Sequence, residues 1–151
     1  MKRAAPSDLE ALVGMMAEFY AESDYPLNAA RAREAFQALL DEPSLGEVWL
    51  IQAEGQDAGY MVLTFGYSME YGGRDAFIDD LFVRPVYRHA GLGGALVMHA
   101  RDVCAAHGVR ALHLEVGRDN AGARRVYRRA GFVETDRQLL TLVLAPPTHS
   151  F

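Results

Sequence analysis

The chain is poor in the features that commit a small protein to disulfides, metals, membranes or nucleic acid. Its 151 residues contain one cysteine, Cys104, which excludes an internal disulfide framework and fits a reducing compartment. No apolar run reaches membrane-spanning length, and the opening MKRAAPSDLE has no apolar signal region. The expectation is a cytoplasmic protein with no membrane partner. There is no excess of basic residues. The net charge of −5 argues against nucleic acid as a main partner and is compatible with a cationic one. His89, His99, His107, His113 and His149 show no metal-ligand spacing with Cys or carboxylates, so no metal is expected. Linkers, repeats and low-complexity tracts are absent as well. A single domain over residues 1–151 is expected, long enough to bury a core.

What is present is punctuated clearly. Ser7-Asp8-Leu9-Glu10 reads as a capping box that opens a helix running to about residue 21. A second helix is expected over 28–40, ahead of Pro43. Strands follow at 47–53 and 58–65 as a hairpin, and at 75–83 after the Gly72-Gly73 turn. A helix then runs to His107 and stops at Gly108. Alternation gives a strand at 109–116, and a last helix covers 120–130 before Gly131. Strands at 132–136 and 138–144 are expected to close the sheet, with a frayed tail from Pro146 onward. The fold class is therefore α/β, a mixed, mostly antiparallel central sheet flanked by helices.

The richest stretch is VRPVYRHAGLGGALV, residues 83–97. A strand feeds a turn bearing Arg and Gly, and the turn opens directly onto a helix. Gly91, Gly93 and Gly94 let amide N–H groups approach a ligand closely. The helix N-terminus adds unpaired donors and partial positive charge, a setting that suits phosphate. The alternative is a glycine-rich turn with no ligand. A P-loop is excluded, because Ala95 and Leu96 stand where Lys and Ser/Thr are needed. A dinucleotide fingerprint fits Gly91 and Gly93 but meets Leu96 at its third position, although Glu115 lies near the expected acidic distance.

The spacing Arg88-x-x-Gly91-x-Gly93 resembles a different pattern, the acetyl-CoA pyrophosphate loop R/Q-x-x-G-x-G/A of the Gcn5-related N-acetyltransferase (GNAT) superfamily. A second block, NAGARRVYRRAGF at 120–132, is similar to the later motif of that superfamily. Asn120, Ala123, Tyr127, Gly131 and Phe132 stand in its register. The resemblance implies acetyl-CoA as co-substrate, a sheet whose central strands splay to admit the pantetheine arm, and a homodimer. Donor-binding positions implied are Leu81, Phe82 and Val83 through their backbone, the loop Arg88, His89, Ala90, Gly91, Leu92, Gly93 and Gly94, and Asn120, Ala123 and Tyr127. His89 departs from the family, which commonly has Gly, Lys or Arg there.

Acetyl transfer to an amine needs a proton for the departing thiolate and a neutral amine. The resemblance gives Tyr127 the first task. A phenol near pKa ~10 must then protonate a thiolate near ~8.5; the alternative is a packed core tyrosine. An alkylamine near pKa ~10.4 is neutral in only about 0.1% of molecules at pH 7.4, so a carboxylate or water chain must collect its proton. Asp79 and Glu115 are the candidates, with Asp80 beside Asp79 and facing the other way. The segment FIDDLFV, residues 77–83, resembles that of diamine and polyamine acetyltransferases, whose acid at the Asp79 position lies near the substrate amine. Tyr20, Tyr25, Tyr67, Glu18, Glu22 and Asp24 either line an acceptor pocket or form a solvated helix end. His113 is a possible relay towards Glu115. Arg124, Arg125, Arg128 and Arg129 form either a solvated face or a site for the 3′-phosphate of CoA. Cys104 is expected to be a buried core residue. The implied activity is N-acetylation of a small primary amine, such as a polyamine, a diamine or an amino-acid-like compound. Protein or peptide acetylation and a non-catalytic CoA-binding module are the alternatives.

Overall fold

The computed structural model describes residues 1–149. A five-stranded sheet in sequence order contains β1 (Lys2–Arg3), β2 (Gly46–Ala53), β3 (Gln56–Ser68), β4 (Gly73–Val83) and β5 (Ala111–Leu114). All neighbours are antiparallel except β4 and β5. Helices α1 (Leu9–Ala21) and α2 (Ala29–Asp41) cover one face, and α3 (Leu92–Ala106) covers the other. Helix α4 (Ala121–Arg129) follows β5 and packs against α3. No helix among the described residues is long and apolar enough to cross a membrane.

Strand alternation builds the two cores. Val48 and Leu50 of β2, Tyr60 and Val62 of β3, and Phe82 of β4 point towards Leu12, Met15 and Phe36 of the first two helices. Ile51, Met61, Leu63 and Ile78 point the other way, towards Leu96, Val97, Ala100 and Cys104 of α3. Cys104 is buried, as expected, and burial pushes its thiol up to about 11, with Glu47 adding to the rise. This is the environment of a packing residue and not of a nucleophile.

One irregularity in β4 shapes everything that follows. Val62 of β3 opposes Asp80, whereas the next residue, Leu63, opposes Ile78. Asp79 is therefore an extra residue without a partner, a β-bulge. Bulges bend a strand and increase its twist. The pairing of β4 with β5 runs from Asp75↔Ala111 to Ile78↔Leu114 and stops there. From the bulge to Val83, the β5 side of β4 carries no strand among the described residues.

Several expectations are corrected. The cap of the first helix forms earlier than Ser7 and Glu10 suggest: a single 3-10 turn at Pro6–Asp8 precedes α1, and the Asp8 carboxylate accepts from the Ala5 N–H at 2.8 Å. Residues 2–3 add an edge strand too short to read from a pattern. The strand expected over 109–116 shortens to β5. The strands expected at 132–136 and 138–144 do not form. Past Phe132, which packs on the α3-side core, the chain is drawn off by contacts at two points. Arg137 makes two hydrogen bonds to the Glu70 carboxylate, at 2.8 and 3.0 Å. The tail does not fray before 149: Thr148 O accepts from the Asn28 N–H at 2.6 Å and Pro147 O from the Arg31 guanidinium at 3.2 Å.

Candidate functional site

Where β4 parts from β5, a cleft of about 510 Å³ opens between α1, β4, α3 and α4. The turn after β4 enters α3 through Gly91, whose φ of +80° is the left-handed conformation that glycine adopts without cost. Ala95 donates to Gly91 O, so the amides of Leu92, Gly93 and Gly94 begin the helix without intrahelical partners. A Cβ on Gly93 would meet nothing within 4 Å; this residue faces the open cleft. His89 reaches the same bend with φ at +66°, an uncommon conformation for a residue bearing a Cβ.

The cleft is lined by Leu81, Phe82, Val83, Arg88, His89, Gly91, Leu92, Gly93, Gly94, Asn120, Ala123 and Tyr127. These are the sequence-derived donor positions, apart from Ala90, which does not line the cleft. Phe19, Glu22, Gly122, Arg125 and Val126 complete the wall and were not among them. Phe19 was read only as part of a helix face, because the fold that brings it beside Phe82, with ring centroids 5.4 Å apart, is a long-range event. Asn120 has a local task as well: its side-chain oxygen caps α4 by accepting from the Ala123 N–H at 3.1 Å. Arg124 and Arg128 are paired with Glu134, which leaves Arg125 as the member of the arginine cluster that faces the cleft.

Arg88 is already engaged. Its Nε donates to Val83 O at 2.8 Å, its guanidinium pairs with Glu22, and it lies 5.7 Å from the Phe82 ring centroid. One turn earlier on α1, Glu18 pairs with Arg84 at 3.0 Å. Glu18 and Glu22 thus fasten the end of α1 to the turn after β4, and Glu22 also lines the cleft. Tyr67 is 70% exposed on the far end of β3, and Tyr25 stacks on His149. Of the six residues offered for that pocket, Tyr20 is the one set against the β4 carboxylates.

Those carboxylates differ in surroundings. The bulge turns Asp80 to the α1 side, where Tyr60 donates its hydroxyl at 2.9 Å. Burial pushes the Asp80 carboxyl up to about 7, and the charge of Asp79 adds to the rise against the Tyr60 hydrogen bond. Asp79 keeps more of its surface in water, and partial dehydration raises it too. Tyr20 is pushed up to about 12 by burial and by the charge of Asp80, with a hydrogen bond to Thr148 opposing. A strongly dehydrated carboxyl between two phenols, on the strand that lines a cleft, is an arrangement that suits proton transfer near neutrality. Tyr127 stands on α4 in the cleft wall, with its ring against Phe132 and centroids 6.0 Å apart. Burial raises its phenol, so its proton stays on at neutral pH. Its hydroxyl has no side-chain hydrogen bond among the described residues. Glu115 lies exposed just past β5 and does not line the cleft. His113 is 3.2 Å from Asp75 and belongs to the outer face of β4 and β5. No cluster able to hold a metal occurs among the described residues.

Known proteins agree with this geometry. A family model described as Acetyltransferase (GNAT) family matches residues 11–132. A streptothricin acetyltransferase of Streptomyces lavendulae is 29% identical over 150 residues, covering 87% of this chain and 79% of that protein. The crystal structure of an integron cassette protein, HFX_CASS3, from the mobile metagenome of Cole Harbour Salt Marsh is 46% identical. It superposes with a TM-score of 0.90 and covers 99% of this chain and 93% of that one. A predicted acetyltransferase with acetyl-CoA from Clostridium acetobutylicum shares the fold at 18% identity, with a TM-score of 0.79 over 95% of each chain. A glycine turn that presents free helix amides beside a gap in the sheet, within a match spanning most of the sequence, leads to one assignment. The chain belongs to the GNAT acetyltransferase family and is an acetyl-CoA-dependent N-acetyltransferase.

Proposed function

We propose that this acetyltransferase acts on the primary amine of a small cationic molecule, of the polyamine, diamine or amino-acid-like class, by direct attack on the thioester. The observation that carries the reading is the pair Asp79 and Asp80 at the bulge, with Asp80 held by Tyr60 and overlooked by Tyr20. A negative site beside the cleft attracts a cation, and the rings of Tyr60 and Tyr20 limit the contact of Asp80 with water. The similarity to a streptothricin acetyltransferase supports a small-molecule acceptor.

In this reading the donor lies along the free side of β4 at Leu81, Phe82 and Val83, with its pyrophosphate on the amides of Leu92 to Gly94. Asp80, and not the Asp79 expected from the sequence, takes the proton from the acceptor ammonium, and Asp79 holds the cation. The nitrogen forms a bond to the thioester carbon, the C–S bond breaks, the thiolate takes the Tyr127 proton, and the second proton that the nitrogen sheds on becoming an amide returns to the Tyr127 phenolate. Glu115 has no part in this scheme. The enzyme is read as a homodimer and as cytoplasmic, the latter in keeping with its single buried thiol.

The test is release of free thiol from acetyl-CoA across a panel of amines. Turnover with diamines that falls steeply in Asp80→Asn is the expected result. Turnover confined to peptide amines, unchanged in Asp80→Asn, would replace this reading with protein acetylation.

A further inference from the structure

Residues 133–146 are exposed throughout, and 147–149 are half-buried again. The last residues of a domain fray unless something ties them down, and here the main chain does so at three successive positions. Pro147 O accepts from the Arg31 guanidinium at 3.2 Å, and Thr148 O from the Asn28 N–H at 2.6 Å. His149 forms an antiparallel bridge with Leu27. The tail is thereby laid along the loop that joins α1 to α2.

Its side chains turn to one place. The His149 ring stacks on Tyr25, with centroids 4.7 Å apart, and lies 5.9 Å from the ring of Tyr20. The Thr148 side chain is hydrogen-bonded to the Tyr20 hydroxyl. Tyr20 needs such ties. It stands in the last turn of α1, where helices fray. The chain reverses directly after it through Asp24, with φ at +59°, and the Tyr25 N–H donates to Tyr20 O at 3.0 Å.

Tyr20 also faces the carboxylates of β4. Asp80 is met by Tyr60 from β3, by Tyr20 from α1 and by Asp79 of its own strand. Tyr20 is met by Asp79 and Asp80 on one side and by Thr148 and His149 on the other. Tyr60 is fixed within the sheet by its bond to Asp80, whereas Tyr20 is fixed from outside it. A group that shields a carboxyl from water governs how readily that carboxyl ionises. Whatever holds Tyr20 therefore bears on the proton affinity of Asp80.

We propose that residues 147–149 are a strap on the acceptor side of the site, in which Thr148 is the positioning residue that keeps Tyr20 over Asp80. The role in catalysis rests on the reading of Asp80 as the proton acceptor. Thr148 itself touches no reacting atom. It acts through Tyr20, and His149 supports the same ring.

Carbon NMR of the aspartate carboxyls in the full chain tests the strap without a substrate. Asp80 is identified as the resonance lost in Asp80→Asn and is expected to titrate at about 7 in the wild type. Thr148→Val removes the hydroxyl and keeps the main-chain bond to Asn28. With Tyr20 released, water reaches Asp80, and its midpoint should fall by ~0.5–1 pH unit. Thr148→Ser should restore the wild-type value. In a Tyr20→Phe background Thr148→Val should move the midpoint no further, because the hydroxyl it holds is gone. An unmoved midpoint in Thr148→Val, or a further shift in the Tyr20→Phe background, would overturn the role; lower stability alone would not produce the expected pattern. Kinetics with 1,4-diaminobutane test the placement: in Thr148→Val its KM should rise by roughly threefold or more while that of acetyl-CoA is unchanged. Equal rises for both would overturn the acceptor-side position. A shifted midpoint with no turnover of any amine would overturn the small-amine reading and leave the hold of the strap on Asp80 standing.

Discussion

Gly93→Val separates donor binding from folding. Space for the side chain exists, since a Cβ at this position meets nothing within 4 Å. In a helix Val is a few tenths of a kcal/mol better than Gly, so the unliganded variant should melt within about 2 °C of wild type. In the cleft the same side chain stands beside its own amide hydrogen, which a phosphate oxygen must approach to about 2.9 Å. Losing two charge-assisted hydrogen bonds at roughly 1.5–3 kcal/mol each lowers affinity by more than about 100-fold. Acetyl-CoA at about 100 times its wild-type Kd stabilises by roughly 2.7 kcal/mol. For a chain of this size that corresponds to a rise in Tm of roughly 5–11 °C. At the same concentration the variant would be at most half occupied, worth about 0.4 kcal/mol and a rise of ~1–2 °C. Differential scanning fluorimetry with and without acetyl-CoA reads both quantities. An undiminished shift in the variant would refute the loop as the phosphate site, and an unfolded variant would refute the claim of open space.

Two further substitutions probe proton transfer. Tyr127→Phe should keep acetyl-CoA affinity within a few-fold and lower kcat by about 100-fold or more, the usual scale of general acid help; unchanged kcat with chemistry rate-limiting would assign the proton to water. Asp80 is raised to about 7 in the folded protein, so kcat/KM should climb as pH rises through 7 and level off above it, and Asp80→Asn should abolish the climb. The sign for stability is the reverse. A carboxyl whose pKa is raised by folding favours the folded state at low pH, and that advantage is lost between about pH 4 and 7 as it ionises. Asp80→Asn keeps an acceptor for Tyr60 and should be more stable than wild type at pH 8, by at most about 4 kcal/mol. The difference should vanish near pH 4 in thermal melts taken at both values.

Local signals in the sequence carried the turn at Gly91, the helix starts near 28 and 120, the helices and the hairpin, because each depends on residues within one or two turns of itself. The sites of error are long-range. Nothing in Ile78-Asp79-Asp80-Leu81 marks which carboxylate is the spare one; that depends on the register against Val62 and Leu63 of another strand. Glu22 and Arg88 lie 66 positions apart, and no pattern joins them. The strand expected at 138–144 does not form: the apolar composition of QLLTLVL suits a strand, but composition says nothing about which neighbour would supply its hydrogen bonds. Asp80 was named only as the neighbour of Asp79. The aromatic residue Tyr60, twenty positions upstream, was the missing clue, and it read as an ordinary strand residue.

The bulge at Asp79 has a consequence for inheritance. If Asp79 is removed, Ile78 and Asp80 become consecutive partners of Leu63 and Val62, and Leu81, Phe82 and Val83 keep both their faces and their register. What disappears is the bend that ends the pairing of β4 with β5 at Ile78, and with it the gap between them. A single in-frame codon therefore separates a continuous sheet from one with a gap between two of its strands. Comparisons of this chain with its relatives that score substitutions, and treat a one-residue gap in β4 as noise, would pass over the change with the largest effect on what the sheet can hold.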